Sequence, residues 1–191
     1  MNKYQFYGWE KATIKDNNGL TPIDYYDLLT NIWCKDTCAP RMRKDWSKDN
    51  KTLGQCSITA FLMQDIYGGK VYGILNDDQS YHCFNKIGDI VFDLTSEQFN
   101  GKLLDYNDCC EQFREIHFAK EEKKNRYEYL KKELIKAVNQ FIKEKYRVNP
   151  VNIYKRRKNN YNLTGEDIDL LKDNRHKKEK VSICDIHEDG A

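Results

Sequence analysis

Gly54-Gln55-Cys56-Ser57-Ile58-Thr59-Ala60-Phe61-Leu62, continuing to Tyr67 and closed by Gly68-Gly69, reads as a buried helix that begins at a cysteine. The apolar run starts directly after Cys56, and glycine commonly ends a helix at its C-terminus. Downstream, Lys70 to Leu75 reads as a strand and Asn76-Asp77-Asp78 as a turn. Ser80-Tyr81-His82-Cys83-Phe84-Asn85 and Ile90-Val91-Phe92-Asp93 read as two further strands, with Lys86-Ile87-Gly88-Asp89 as hairpin-turn material between them. A helix followed by an antiparallel sheet predicts an α+β two-layer core with a cleft between the layers.

The same segment carries chemistry. His82 lies 26 positions after Cys56 and Asp93 lies 11 beyond that, so a thiol, an imidazole and a carboxylate occur in the order of a cysteine nucleophile, its base and an orienting acid. A thiol is a strong nucleophile only as the thiolate, and a position in the first turn of a helix lowers its pKa. Gly54 lets the chain turn sharply, and the backbone N–H groups around Gln55 and Cys56 are donors able to face a developing oxyanion. The Gln55 side chain adds another donor. In the predicted hairpin His82 and Asp93 share a face, so that the carboxylate holds one ring nitrogen while the other addresses Cys56. Trp46, Gly54 and Tyr81 are expected to border the substrate, although packing alone also accounts for Trp46. Taken singly, a cysteine in such a helix is usually a small buried hydrophobe and a strand histidine a satisfied structural residue. Their joint order carries the catalytic reading.

Trp33, Trp46, Gly54-Gln55-Cys56-Ser57-Ile58-Thr59-Ala60, Gln64-Asp65, Gly68-Gly69, Tyr81-His82-Cys83-Phe84-Asn85 and Asp93-Leu94-Thr95-Ser96-Glu97-Gln98-Phe99 together resemble the motifs of the YunG-like bacterial proteins. The resemblance runs from about Tyr25 to Leu134. The Cys, His, Asp order of those proteins is similar to that of the transglutaminase-like branch of papain-fold cysteine enzymes. This resemblance implies a papain-like α+β core with Cys56 as nucleophile, His82 as base and Asp93 as orienting acid; it implies no substrate. Cys83-Phe84 departs from the pattern, where a Trp or Tyr is expected after the histidine, and the stretch after about residue 147 has no counterpart.

Around this core, Thr21-Pro22-Ile23-Asp24 predicts a capped first helix from about 22 to 34, and the polar stretch from Cys38 to Leu53 a loop leading to the nucleophile. Tyr127, Leu130, Leu134, Ala137, Val138, Phe141 and Ile142 recur with helical period, predicting a long amphipathic helix over 121–146 that packs on the core. Residues 1–146 are thus expected to form one domain, and 147–191 a charged extension with a short helix near 164–174 and a disordered end. The formal net charge of +2 hides an asymmetry: residues 1–119 hold 13 Lys/Arg against 17 Asp/Glu, and residues 120–191 hold 19 against 13. Lys155-Arg156-Arg157-Lys158 and Arg175-His176-Lys177-Lys178 suit an anionic or protein partner, or simply a solvated surface.

With 39% hydrophobic and 13% aromatic residues and only three prolines among 191, the chain is that of a folded globular protein. No stretch approaches the ~20 apolar residues of a membrane span, and the first residues lack a signal peptide's apolar region, so a cytoplasmic location is expected. Seven cysteines, an odd number, suit reduced thiols. Cys34-x3-Cys38 and Cys184-x2-His187 have metal-like spacing but no convincing second pair, so neither metal nor cofactor is expected. The favoured expectation is a cysteine-dependent amidase, peptidase, deamidase or transglutaminase-like enzyme acting on a protein, peptide or small amide. The alternative is a catalytically silent protein- or anion-binding module that retains the fold. A thiol redox protein is a weaker third reading without a Cys-x-x-Cys motif, although Cys83 can serve as a resolving thiol.

Overall fold

The structure, a computed structural model, describes residues 6–147. The chain divides into two compact units, 1–136 and 137–191. The first holds the sheet and its helices; of the second, only the C-terminal end of the last helix is described. The short helix near 164–174, both basic runs, the last dozen residues and Cys184 with His187 lie outside the described residues.

The elements in order are α1 (Pro22–Leu29), α2 (Cys56–Tyr67), β1 (Lys70–Leu75), β2 (Tyr81–Ile87), β3 (Ile90–Phe92), β4 (Cys110–Glu111), α3 (Arg114–Phe118) and α4 (Glu121–Arg147). The four strands form one antiparallel sheet in the order β3-β2-β1-β4. The protein is therefore α+β, with α2 packed on the sheet through β2 and β1. Because α2 turns back into β1 at Gly68-Gly69 and β1 returns as β2, helix α2 and strand β2 run in the same direction. Both glycines have the positive φ that such a reversal requires.

Helix α2 is apolar on nearly every side, and Ser57 through Met63 are all buried. Its polar neighbours are satisfied from outside: Trp33 Nε1 donates to Thr59 Oγ1 at 3.2 Å, and Asn85 Nδ2 of β2 donates to the Ala60 carbonyl at 2.8 Å. Beneath it Phe61, Val71, Phe84, Phe92 and Leu130 form the core.

Helix α1 is shorter than its sequence signal. Its capping box is present, with Thr21 and Asp24 bonding each other's backbone N–H. After Leu29, however, Thr30 and Asn31 both donate side-chain hydrogen bonds to the Asp27 carbonyl, which competes with the next backbone turn. Trp33 is still buried, so the apolar spacing located the core face although the regular helix had ended. Thr21→Ala removes one half of the box and is expected to cost about 1 kcal/mol in urea unfolding. A change within a few tenths of zero would mean that α1 is held by packing alone.

Candidate active site

Cys56 is the first residue of α2 and is partly exposed, whereas His82 and Asp93 are each only 1% exposed. Two features bring β2 to the cysteine. Asn85 fixes β2 against Ala60, and Cys83 lies two residues back on the same strand face. Cys56 lies four residues back from Ala60 on the same helix stripe, and steps of ~6 Å along a helix and ~6.6 Å along a strand keep the two in register. Cys83 therefore meets Cys56, and both Cys83 and His82 are close enough to act on the Cys56 thiol.

His82 Nε2 is 2.5 Å from Asp93 Oδ2. Asp93 directly follows β3 and is held by a backbone bond to Tyr7, its N–H donating to the Tyr7 carbonyl at 3.0 Å. With Asn85 opposite Phe92, positions 82 and 93 are diagonal neighbours on one face, within side-chain reach. The Asp93 carboxylate is saturated: Oδ1 accepts from the Thr95 N–H (2.9 Å) and hydroxyl (3.0 Å), and Oδ2 also accepts from the Tyr106 hydroxyl at 3.0 Å. Such packing of donors fixes the carboxylate, and with it the ring plane of His82. The other ring nitrogen, Nδ1, lies 3.2 Å from Gln98 Nε2. Phe99 packs edge-on against the imidazole, with centroids 4.7 Å apart.

The electrostatics favour charge separation. The Cys56 thiol is held well below the ordinary range, first by a hydrogen bond donated from the Cys83 thiol, against the opposing effect of burial, and then by His82. Burial pushes the His82 imidazole down, but the Asp93 carboxylate and Cys56 outweigh it and raise it to about 10. Cys83 is pushed well above the ordinary range by its bond to Cys56 and by burial, so it stays a thiol and a donor. The two shifts act in the same sense, each favouring the charged form, a thiolate at Cys56 and an imidazolium at His82.

Gln55 is held by both its backbone and its side chain. Its backbone N–H donates to the Thr52 carbonyl at 3.1 Å, and its side-chain Nε2 donates to the Cys34 carbonyl at 3.1 Å. The N–H groups of Cys56, Ser57 and Ile58 in the first turn of α2 have no acceptor within the helix, and Gln55 Nε2 keeps a second amide proton. Gln55 Oε1 is buried with no hydrogen-bond partner. Trp46 is tied to its own loop, Nε1 donating to the Lys51 carbonyl at 3.0 Å. Tyr81, at the start of β2, is 39% exposed.

Gly54 has φ +69°, and a Cβ there would lie 2.8 Å from Cys38 Sγ and 3.0 Å from the Ala39 nitrogen. Gly54→Ala is expected to cost at least about 1–2 kcal/mol through the left-handed backbone alone, read by thermal melting. An unchanged midpoint would show that the loop before Cys56 relaxes freely.

Sequence reasoning assigned no role to Gln98, Thr95 or Tyr106. Gln98 links both halves of the site: Oε1 accepts from the Gly54 N–H at 3.4 Å, and Nε2 lies 3.2 Å from His82 Nδ1 and 2.9 Å from the Thr95 carbonyl, to which it donates. The signal was its place in the DLTSEQF segment. On another side, Lys123 Nζ is 3.0 Å from His117 Nδ1, and both feel the charge of Cys56. A cleft of about 570 Å³ is lined by Tyr26 of α1, by Thr30 and Trp33 beyond its end, and by loop residues including Lys51, Glu97 and Tyr106. It is not the expected cleft between helix and sheet, for neither α2 nor β2 lines it. Among the described residues no group of three or more His, Cys, Asp or Glu is arranged to hold a metal ion. Nor is any described helix long and apolar enough to cross a membrane.

Comparison with known proteins gives one family. The family described as YunG protein matches residues 21–139. A protein of Bacillus subtilis (strain 168) described as "Uncharacterized protein YunG" is 28% identical over 122 residues, covering 61% of this chain and 94% of that protein. No solved structure matches.

Proposed function

The chain belongs to the YunG protein family, and from that membership and the geometry around Cys56 we propose that it is a cysteine-dependent acyl-transfer enzyme with a papain-like core. The observation that carries the reading is the chain of contacts from a partly exposed Cys56 to His82, and from His82 Nε2 to Asp93 at 2.5 Å. In the proposed reaction the Cys56 thiolate attacks an amide or ester carbonyl, and the oxyanion faces the Cys56 N–H and the second amide proton of Gln55. His82 delivers its proton to the leaving amine or alcohol, leaving a thioester on Cys56. Water, or a second amine, then enters as His82 takes its proton, giving hydrolysis or transfer. Asp93 holds the imidazole throughout and does not itself give up or accept the proton. Protein, peptide or small-amide substrates fit this chemistry.

The test is trapping of the thioester. Brief exposure to p-nitrophenyl acetate is expected to place one acetyl group on the Cys56 peptide, none at that site in Cys56→Ala, and much less in His82→Ala. Acetylation confined to lysines or to other cysteines, with Cys56 untouched, overturns the proposal. The alternative, a catalytically silent protein- or anion-binding module, draws on the separate cleft, whose lining carries Lys48, Lys51 and Lys102 beside Asp49 and Glu97. Capture of a partner undiminished in Cys56→Ala, with no thioester in the wild type, is its expected signature.

A further inference from the structure

We propose that Cys56 and Cys83 form a dithiol site that takes a hydroperoxide as oxidant and closes into a reversible disulfide, reached because β2 sets Cys83 in register against the first residue of α2. Helix α2 and strand β2 run in the same direction, and the Asn85–Ala60 bond pins them two strand residues and four helix residues beyond the pair. That register sets the Cys83 side chain on the α2 face of β2 against Cys56, and each thiol is close enough to perturb the other. They differ in access: Cys56 is partly exposed, whereas Cys83 is 1% exposed. An oxidant from solvent therefore reaches Cys56 first, and Cys83 is shielded until Cys56 has reacted.

The chemistry balances as two steps. The Cys56 thiolate attacks one oxygen of hydrogen peroxide, breaking the O–O bond; a sulfenic acid forms on Cys56, and the departing hydroxide takes the His82 proton and leaves as water. Cys83 then passes its proton to His82 and its sulfur attacks the Cys56 sulfur, forming the S–S bond and releasing hydroxide, which is protonated to a second water. Two thiols are oxidised and one peroxide is reduced to two waters. Before the first step, deprotonation of Cys83 is opposed by the neighbouring Cys56 charge. Sulfenic acid formation removes that charge, so the order of steps is built into the pair. The disulfide masks the proposed nucleophile and keeps it from passing to the sulfinic and sulfonic acids.

One other thiol competes. Cys38 is buried beside Gly54, its Sγ donating to the Ala39 carbonyl at 3.5 Å, and burial pushes it up to about 11. The experiment therefore maps the bond. The full chain is treated with equimolar hydrogen peroxide, free thiols are alkylated, and tryptic peptides are read without reduction. Cleavage after Lys51, Lys70 and Lys86 puts Cys56 in peptide 52–70 and Cys83 in 71–86. The expected result is these two peptides joined, separating on dithiothreitol, with the same bond formed in Cys38→Ser.

In Cys83→Ser the joined species is expected to vanish. The Cys56 thiol recovered by dithiothreitol should then fall by about tenfold as the sulfinic and sulfonic acids accumulate. Cys83→Ala serves equally should the serine variant fail to fold. A wild-type Cys56 that passes to the sulfinic acid, or pairs with Cys38, while Cys83 stays alkylatable overturns the inference. The readout needs no turnover. Thioester trapping on reduced protein without a disulfide would sink this inference alone, and a disulfide without a thioester would sink only the acyl-transfer reading.

Discussion

His82→Ala is expected to slow iodoacetamide alkylation of Cys56 by about tenfold at about pH 6.5, where a thiol of ordinary pKa ~8.5 is only ~1% ionised. The wild-type thiolate is held well below that range by Cys83 and His82, so its rate should stay nearly flat down to mildly acidic pH. Ionisation alone sets a ceiling of about 100-fold at that pH. Two effects bring the expected value below the ceiling. A more basic thiolate is intrinsically the better nucleophile, and the Cys83 thiol still donates to Cys56 in the variant. The curve of the variant should rise toward alkaline pH, meeting the wild type there. Superimposable curves would mean that the imidazole does not govern the thiol, and the triad reading would fall with them.

Asp93→Ala should cost about 3–5 kcal/mol in equilibrium urea unfolding near pH 6.5, the range for removing one partner of a buried ion pair. The charge left behind is on His82, which is 1% exposed, and the Tyr106 hydroxyl, the Thr95 hydroxyl and the Thr95 N–H lose their acceptor as well. Asp93→Asn keeps an acceptor for some of those donors and should cost less. The pH dependence separates charge from hydrogen bonding. His82 is raised in the folded protein to about 10 from an unfolded value of ~6.5, so the stabilisation from its charge is fully present below about pH 6.5 and is lost as pH rises toward about 10. The gap between wild type and Asp93→Ala should narrow across that window. A gap of constant size would assign Asp93 to the hydrogen-bond network alone.

Much of the frame is readable in the residues. The apolar run after Cys56 and the glycine pair give α2 its observed limits, Cys56–Tyr67, because burial on most sides needs continuous apolar side chains and a reversal needs positive φ. Strand β1 and the β2–β3 hairpin follow from β-branched and aromatic residues, but the expected turn over 86–89 shrinks to Gly88-Asp89, with Gly88 at φ +56°, because Lys86 and Ile87 pair with Val91 and Ile90. The long amphipathic period ends within one residue of the observed end of α4 at Arg147. By contrast β4 is two residues long and pairs only with Tyr72 and Gly73, too short to leave any period in the sequence.

Thiol, imidazole and carboxylate were legible as a set because their side-chain types and order are rare in combination. Their supporting shell was not. Thr95 and Gln98 belong to the DLTSEQF segment and Tyr106 lies beyond it, but what they do exists only once the chain after Asp93 folds back across His82. The cleft against α1 and the loops was not legible for a related reason: its lining is gathered from segments far apart in the sequence, from Tyr7 to Tyr106.

The sequence by itself determined the α+β class, the elements flanking Cys56 and the three residues of the candidate triad, since these rest on hydrophobic period, turn chemistry and functional-group identity, all local properties. Tertiary structure alone decided which ring nitrogen of His82 meets Asp93, that the Gln55 amide is drawn toward the Cys34 carbonyl, and that Cys83 faces Cys56. Each of those depends on the register between α2 and β2 and on the path of the chain after β3, and register is settled by contacts between residues distant in sequence.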